Sequence, residues 1–296
     1  MAHSLAGTFD VGLERSCVPG SPTRRDWVRH GACPPGMERH EAFFAGFAYA
    51  PHRHDTYAIG YTVEGVQSFG YRGSEEHSLP GHVMVLHPDE VHDGHAGTED
   101  GFLFRMLYLR PDVIRDALAQ AGPGGRPAPL PFIDGAVSRD PRVIRALMPA
   151  LADMKAEIDP LEADRIVQEL ADALNAISGN LLTPPSRSHQ QAVDRAREYL
   201  RGNLADTVTS EELEQETGLD RYELSRQFRR LVGTSPYRYL VMRRLDAVRD
   251  AILDGDSLAD AAMAAGFADQ AHMTRHFKKA FGVTPGKWLA LSQKTP

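Results

Sequence analysis

The chain is predicted to be a multidomain α and β protein. A β-barrel with helices at its C-terminal flank precedes an all-α domain of two helix-turn-helix units joined by a linking helix. Three observations predict this. Short strand patterns punctuated by glycine-containing turns fill residues 41 to 109 and then stop. Helical periodicity replaces them from Pro111 onward, interrupted by the run TPPSRSH at 183–189. The last third is internally duplicated: YELSRQFRRLVGTSPYRYL (Tyr222–Leu240) aligns with AHMTRHFKKAFGVTPGKWL (Ala271–Leu289) at a constant offset of 49 residues. Arg226 meets Arg275, Phe228 meets Phe277, Gly233 meets Gly282 and Pro236 meets Pro285. Two copies are too few for a solenoid, so a doubled supersecondary unit is the expectation.

A length of 296 residues with 42% hydrophobic and 25% charged residues fits about two globular domains. The net charge of −7 is unevenly divided. From Ser186 onward there are 17 Lys+Arg against 15 Asp+Glu, and before it 16 against 25. An acidic front and a mildly basic back imply separate tasks, and the back is not basic enough to coat nucleic acid indiscriminately. No apolar run approaches a membrane span and no secretory leader is evident, so no membrane partner and a cytoplasmic location are expected. Cys17 and Cys33, the two cysteines, match neither a zinc site nor a disulfide framework.

In order, residues 1–40 are rich in Gly, Pro and mixed charge without periodicity, and are expected to form a flexible lead-in. Residues 41–182 form the first domain. Strands are predicted at 42–49, 57–63, 67–71, 82–86 and 102–109. Tyr57, Ile59, Tyr61 and Val63 share one face, as do Phe102, Phe104, Met106 and Tyr108. Such faces can line a cavity for one small molecule, which places Tyr57, Tyr61, Phe104 and Met106 in a candidate effector pocket. The histidines at 77, 82, 87, 92 and 95 are expected on strands and turns rather than in a metal tract.

Helices follow at 111–120, 141–158 and 160–180, the last two opening on a proline suited to the first turn. Ile166, Leu170, Leu174, Ile177 and Leu181 form an apolar stripe. It packs either on its own barrel or on a second copy of the chain, and the expectation here is a homodimer contact. Residues 183–190 are the linker and 191–296 the second domain, opening with a helix at 192–202.

Within each repeat, Ser210 and Ser257 are predicted to cap a first helix, Gly218 and Gly266 to end it, and Asp220 and Asp269 to cap a second. Glu223, three residues beyond Asp220, completes a capping-box-like pattern. Leu224, Phe228 and Leu231, and in the second copy Met273, Phe277 and Ala280, point inward. The outer faces carry Arg221, Tyr222, Ser225, Arg226 and Arg229, then Gln270, Ala271, Thr274, Arg275 and Lys278. Arg pairs with guanine, Gln with adenine, and Ser, Thr or a methyl group with other base edges, so double-stranded DNA is the expected partner.

The run Ser210–Leu289 resembles the DNA-binding domain of the AraC/XylS family of transcription regulators, most specifically in AAGFADQAHMTRHFKKAFGVTPGKWL. The resemblance implies that Arg221, Tyr222, Ser225 and Arg226, together with Gln270, Ala271, Thr274 and Arg275, contact base edges. Arg229 and Lys278 are the candidates for phosphates. PHRHDTYAIGYTVEG followed by LPGHVMVLHPDEVHDG resembles the cupin-like sensor domain of many such regulators. His52 and His54 then fall at the first motif's His-x-His and His92 at the second motif's histidine. The glutamate expected beyond His54 is replaced, since Ala58 and Ile59 stand there. These histidines are therefore expected to contact the effector or hydrogen-bond structurally. No cofactor is expected, and a divalent metal on His52, His54 and His92 is the lesser alternative.

The function these observations imply is a sequence-specific, DNA-binding transcription regulator controlled by a small molecule in the barrel, not an enzyme. The alternatives are a metal-dependent cupin enzyme fused to a DNA-binding domain, and a DNA binder without an effector.

Overall fold

The computed structural model describes residues 26–121, 129–178 and 186–292, and its first domain is a pair of antiparallel sheets facing each other. Six strands make one sheet: β1 (Trp27–Gly31), β2 (Met37–Phe44), β9 (Phe102–Leu109), β4 (Tyr57–Gly65), β7 (Val83–Leu86) and the short β10 (Val137–Ser138), in that spatial order. The second sheet runs β3 (Phe47–His52), β8 (His92–Ala96), β5 (Gln67–Tyr71) and β6 (Ser74–Ser78). Their facing sides enclose a core of Ala42, Phe44, Phe69, Tyr71, Met84, Phe102 and Phe104. The outer side of the six-stranded sheet is covered by α1 (Pro111–Ala121), α2 (Pro141–Leu151) and α3 (Pro160–Ile177).

Two-residue alternation decides which side chain joins which core. On β9, Phe102, Phe104 and Met106 face inward while Leu107 and Leu109 meet the helices. On β4 the assignment is the reverse of an inward aromatic face. Ala58 lies inside, whereas Tyr57 and Ile59 are buried under the helices with Tyr61 packed beside them. The Tyr57 hydroxyl donates to Pro131 O at 2.7 Å, which fixes that direction.

The helical domain comprises α4 (Arg187–Gly202), α5 (Ser210–Thr217), α6 (Arg221–Val232), α7 (Pro236–Leu253), α8 (Leu258–Ala264), α9 (Gln270–Phe281) and α10 (Pro285–Ser292). Two small cores result. Val193, Leu200, Leu224, Phe228 and Leu231 form one. Val248, Met273, Phe277 and Trp288 belong to the other. The linking helix α7 serves both, Tyr239 and Leu240 entering the first and Val241, Leu245 and Ile252 the second. At 18 residues it spans about 27 Å, enough to hold two helix-turn-helix units apart.

The caps explain where these helices begin. Thr209, one residue earlier than expected, accepts from the Glu212 amide and forms a reciprocal capping box with that residue. Asp220, Ser257 and Asp269 cap α6, α8 and α9 as anticipated, but Glu223 turns to Gln227 Nε2 at 2.7 Å instead of completing a box.

Several expectations are corrected. The lead-in placed at 1–40 gives way to strand by Trp27, because β1 pairs with β2 and β2 with β9 along their whole lengths; residues 1–25 and Cys17 lie outside the described residues. Strands β6 and β8 lack the alternating apolar pattern and were not anticipated. Helix α2 ends at Leu151 rather than 158, where Asp153 accepts from the Lys155 and Ala156 amides, and α3 ends at Ile177. The linker placed at 183–190 is helical from Arg187, since Ser186 Oγ accepts from the His189 amide at 3.2 Å; residues 183–185 lie outside the described residues. The α3 stripe is not an open dimer contact. Ile166, Leu170 and Leu174 are fully buried within the single chain against α1 and α2, with Ile177 packed alongside, and Leu181 lies outside the described residues.

Candidate ligand cavity and nucleic-acid interface

A cavity of about 570 Å³ opens where the barrel meets the helical domain. This is the size of a pocket for a small organic ligand. The barrel contributes Val28, His30, Glu38, Tyr49, His52, His54, His92, Phe104, Met106 and Tyr108. The helical domain supplies Met242, Arg243, Asp246, Arg249, Phe281, Trp288 and Leu291. Of the side chains anticipated as effector contacts, His52, His54, His92, Phe104 and Met106 are brought together here. Tyr57 and Tyr61 are not, since they point to the opposite side of their sheet.

The cavity wall is a docked interface. Arg249 of α7 holds Glu38 of β2 through both guanidinium nitrogens at 2.9 and 3.1 Å. Burial opposes ionisation of Glu38, but Arg249 and His40 overcome it and hold the carboxyl well below its ordinary range. Arg243 pairs with Asp55 at 2.8 Å, and Arg238 with Asp89 at 2.6 Å. At the first unit, Arg197 of α4 pairs with Asp112, and Arg115 reaches Leu231 O at 3.5 Å. At the second, the main chain takes part: Ala50 N donates to Gly282 O at 3.3 Å and Arg53 N to Lys279 O at 3.1 Å. Leu291 of α10 inserts into the barrel's own core. None of these partners announced itself, because an arginine on a helix reads as a solvated face until its distant carboxylate is known.

The polar floor is unusual in its histidines. His52 on β3 lies opposite His92 on β8, and His54 follows two residues on. Burial, then the neighbouring His92 and His54, push His52 well below its ordinary value. Burial and His92 bring His54 down to about 3, and burial brings His92 down to about 4. All three are neutral imidazoles. His52 Nδ1 lies 2.9 Å from Ala50 O, His54 Nδ1 2.9 Å from Thr56 O, and His92 Nδ1 3.0 Å from Glu90 O. A carbonyl only accepts, so each Nδ1 carries the proton and each Nε2 keeps its lone pair. His54 Nε2 is buried without a hydrogen-bond partner. One ring nitrogen from each of the three lies within 4.8 Å of those of the other two, so these are the residues that would hold a divalent transition metal, with Ala58 buried in the apolar core in place of a carboxylate.

The second surface comprises α6 and α9. Tyr222 is 81% exposed, Arg226, Gln270, Ala271 and Arg275 are exposed, and Ser225 and Thr274 are half-exposed. Arg229 and Lys278 are exposed one turn further on, near the helix ends. The two faces are not equivalent. In the first, Arg221 is drawn back onto α5 by Glu211 at 2.9 Å and Glu214 at 3.0 Å, and Arg226 pairs with Glu223. Reading a base with either arginine requires trading a carboxylate for DNA.

Comparison with known proteins bears on the two domains that carry these surfaces. Residues 34–173 match the family described as AraC-like ligand binding domain, and residues 213–290 match a helix-turn-helix domain. The chain is 25% identical over 225 residues to the uncharacterized HTH-type transcriptional regulator YbfI of Bacillus subtilis (strain 168), covering 75% of this chain and 80% of that protein. It is 26% identical over 260 residues to the HTH-type transcriptional activator RhaS of Yersinia pseudotuberculosis serotype I (strain IP32953), covering 80% of this chain and 88% of RhaS. Among solved structures, ToxT from Vibrio cholerae O395 superposes with a TM-score of 0.61 at 10% identity, covering 92% of this chain and 98% of ToxT. At that identity the likeness speaks to the fold alone. Among the described residues no helix is long and apolar enough to cross a membrane.

Proposed function

The chain belongs to the AraC-type transcription regulators, which bind DNA under effector control and are not enzymes, and from that premise we propose that its effector occupies the cavity between barrel and helical domain. The observation that carries this reading is the cavity's shared wall: Phe104, Met106 and Tyr108 face Met242, Phe281 and Trp288 across it. A ligand lodged there touches both domains, so its binding energy differs between docked and undocked arrangements. That difference is what an effector needs to shift the population.

The recognition surfaces follow from the same reading. Arg221, Tyr222, Ser225 and Arg226 on α6 and Gln270, Ala271, Thr274 and Arg275 on α9 read base edges, while Arg229 and Lys278 hold phosphates. The two helices occupy successive major-groove segments, about 34 Å apart along one face of the duplex. A regulator of this kind works in the cytoplasm with the DNA it reads. Two copies per operator remain our reading of its assembly, through a surface other than the buried α3 stripe. Leu161, 80% exposed in the first turn of α3, is the large apolar side chain that helix still presents.

The test is a thermal-shift screen of the full chain against small metabolites, followed by DNA binding with each hit. A ligand at about 100 times its Kd should stabilise the protein by about 2.7 kcal/mol. It should also change operator affinity, and both effects should be lost when Met106→Trp fills the cavity. A ligand that stabilises Met106→Trp as much as the parent protein would place the effector elsewhere.

A further inference from the structure

We propose that Glu211, Glu214 and Glu223 restrain the first recognition helix, so that the second anchors the protein on DNA and the first engages only where a base displaces its carboxylates. The proposal rests on the base-reading roles assigned above to Arg221, Arg226 and Arg275. To these it adds a division of labour between the two units.

Arg221 is the first residue of α6, the end of a recognition helix whose side chains meet base edges. Its Nη2 donates to Glu211 Oε1 at 2.9 Å and its Nε to Glu214 Oε1 at 3.0 Å, both on α5. Glu214 Oε1 also accepts from the Arg221 amide at 2.8 Å, which fixes that carboxylate beside the guanidinium. Arg226 pairs with Glu223, three residues before it, and Glu223 is itself held by Gln227 Nε2 at 2.7 Å. Guanine is read by two guanidinium N–H groups at once, and the carboxylates compete for the same donors.

The second unit lacks this arrangement. Aligned on their capping residues Thr209 and Ser257, α5 and α8 place Ala259 and Ala262 where Glu211 and Glu214 stand. Aligned on Asp220 and Asp269, α6 and α9 place Gln270 at the position of Arg221 and His272 at that of Glu223. Arg275, the equivalent of Arg226, has no acidic residue within four positions of it in the chain. Residues 210–232 carry four arginines against six carboxylates, whereas residues 258–281 carry three basic side chains against two. Phosphates therefore repel the first unit and attract the second. Exposed ion pairs are individually weak, and each should lower the affinity of the first unit by about two- to fivefold. That is enough to set an order. On a segment that offers no paired base contact nothing offsets the lost carboxylates, so the second unit binds and the first stays off.

The experiment uses the full chain and a duplex that it selects from random oligonucleotides, intact or with either segment scrambled. Arg275→Ala identifies the segment read by the second unit. Affinities are measured at one salt concentration for the parent, for Glu211→Gln/Glu214→Gln and for Glu216→Gln. Glu216 is an exposed carboxylate of α5 that is not among those on Arg221, so it reports the general effect of removing charge. Glutamine at 214 keeps an oxygen for the Arg221 amide, so the fold is preserved. In the parent, scrambling the second segment should cost more affinity than scrambling the first. The double variant should bind the intact duplex at least about fourfold more tightly, with a larger gain per charge than Glu216→Gln. Scrambling the first segment should then cost it more than it costs the parent. Adding Arg221→Ala should erase the excess gain, because that gain belongs to the freed guanidinium. Weaker binding by the double variant would mean that the glutamates steady Arg221 for its base, and overturns the restraint. So does a gain per charge no larger than that of Glu216→Gln, or one that survives Arg221→Ala. Base preference at the first segment left unchanged by Arg221→Ala alone removes the base-reading role itself, and the restraint with it.

Discussion

Arg249 and Glu38 are 211 positions apart in the chain, and they join across the wall of the cavity through two hydrogen bonds of 2.9 and 3.1 Å. Arg249 also lies 5.3 Å from the Phe281 ring centre and 5.1 Å from that of Trp288. One guanidinium thus ties the linking helix, the end of the second recognition helix and the barrel together.

Breaking this pair should loosen docking without unfolding either domain. Glu38→Gln should cost about 1–2 kcal/mol, less than the 3–5 kcal/mol of a fully buried pair, because the Glu38 side chain keeps 46% of its accessibility in the cavity. The Glu38 carboxyl is held below its ordinary value, so its contribution is present above the ordinary carboxylate range and is lost as pH falls through the folded value. DNA affinity in Glu38→Gln should become less responsive to effector. Chemical denaturation and a DNA titration with and without effector check both halves.

Two glycines separate local strain from docking. Gly218 and Gly282 both end a helix at positive φ, +71° and +70°. An added Cβ at Gly218 meets nothing within 4 Å, whereas at Gly282 it meets Tyr49 Cβ at 2.9 Å and His52 Nδ1 at 3.0 Å. Gly218→Ala should cost about 1 kcal/mol, the left-handed penalty alone. Gly282→Ala should cost about 1–3 kcal/mol more and open the interface. Equal melting temperatures for the two variants would refute the docked arrangement.

The buried His87 should make stability fall with acid. Its Nε2 accepts from the Ile133 amide at 3.0 Å, and burial, then Arg72, bring it down to about 3. The unfolded chain takes up the proton first, so this contribution is absent above about pH 6.5 and grows as pH falls. By pH 5 it amounts to about 2 kcal/mol. Other histidines titrate too, so the readout is the difference between parent and His87→Gln, whose flatter stability profile between pH 7 and 5 should reveal it.

The two classes of DNA contact should separate in a salt titration. Arg275→Ala should lose about 1–3 kcal/mol at particular base pairs and leave other sequences unaffected. Lys278→Ala should weaken all sequences evenly and reduce the salt slope by about one. Identical losses on cognate and scrambled DNA for Arg275→Ala would remove its base-reading role.

The two-domain plan was legible because it rests on local signals. Asp220, Ser257 and Asp269 cap where their chemistry predicts, and Phe228 and Phe277 mark the two buried helix faces. Tyr57 and Tyr61 show the limit. Alternation says that they share a face with Ile59, but not whether that face looks into the barrel or onto the helices. The α3 stripe failed for a related reason, since Ile166, Leu170 and Leu174 would repeat in the same way against a neighbouring chain or against their own. Strand β8, HDGHA, carries no apolar alternation and is held by pairing with β3 and β5. The interdomain arginines were out of reach, because each partner is set by tertiary placement.

The doubled unit rests on a seat that is not doubled. Gly233 and Gly282 are equivalent positions 49 residues apart, yet a Cβ on the first would strike Pro88 in a loop and on the second would strike strand β3. The first corner is held by side chains such as Arg115 and Arg197, the second by main-chain hydrogen bonds from Ala50 and Arg53. Truncating one side chain can therefore retune the grip on the leading half, while the main-chain bonds of the trailing half yield only to a change that pushes the backbones apart, as an added Cβ at Gly282 does. A duplicated reader on an asymmetric cradle has a way to let go one hand at a time.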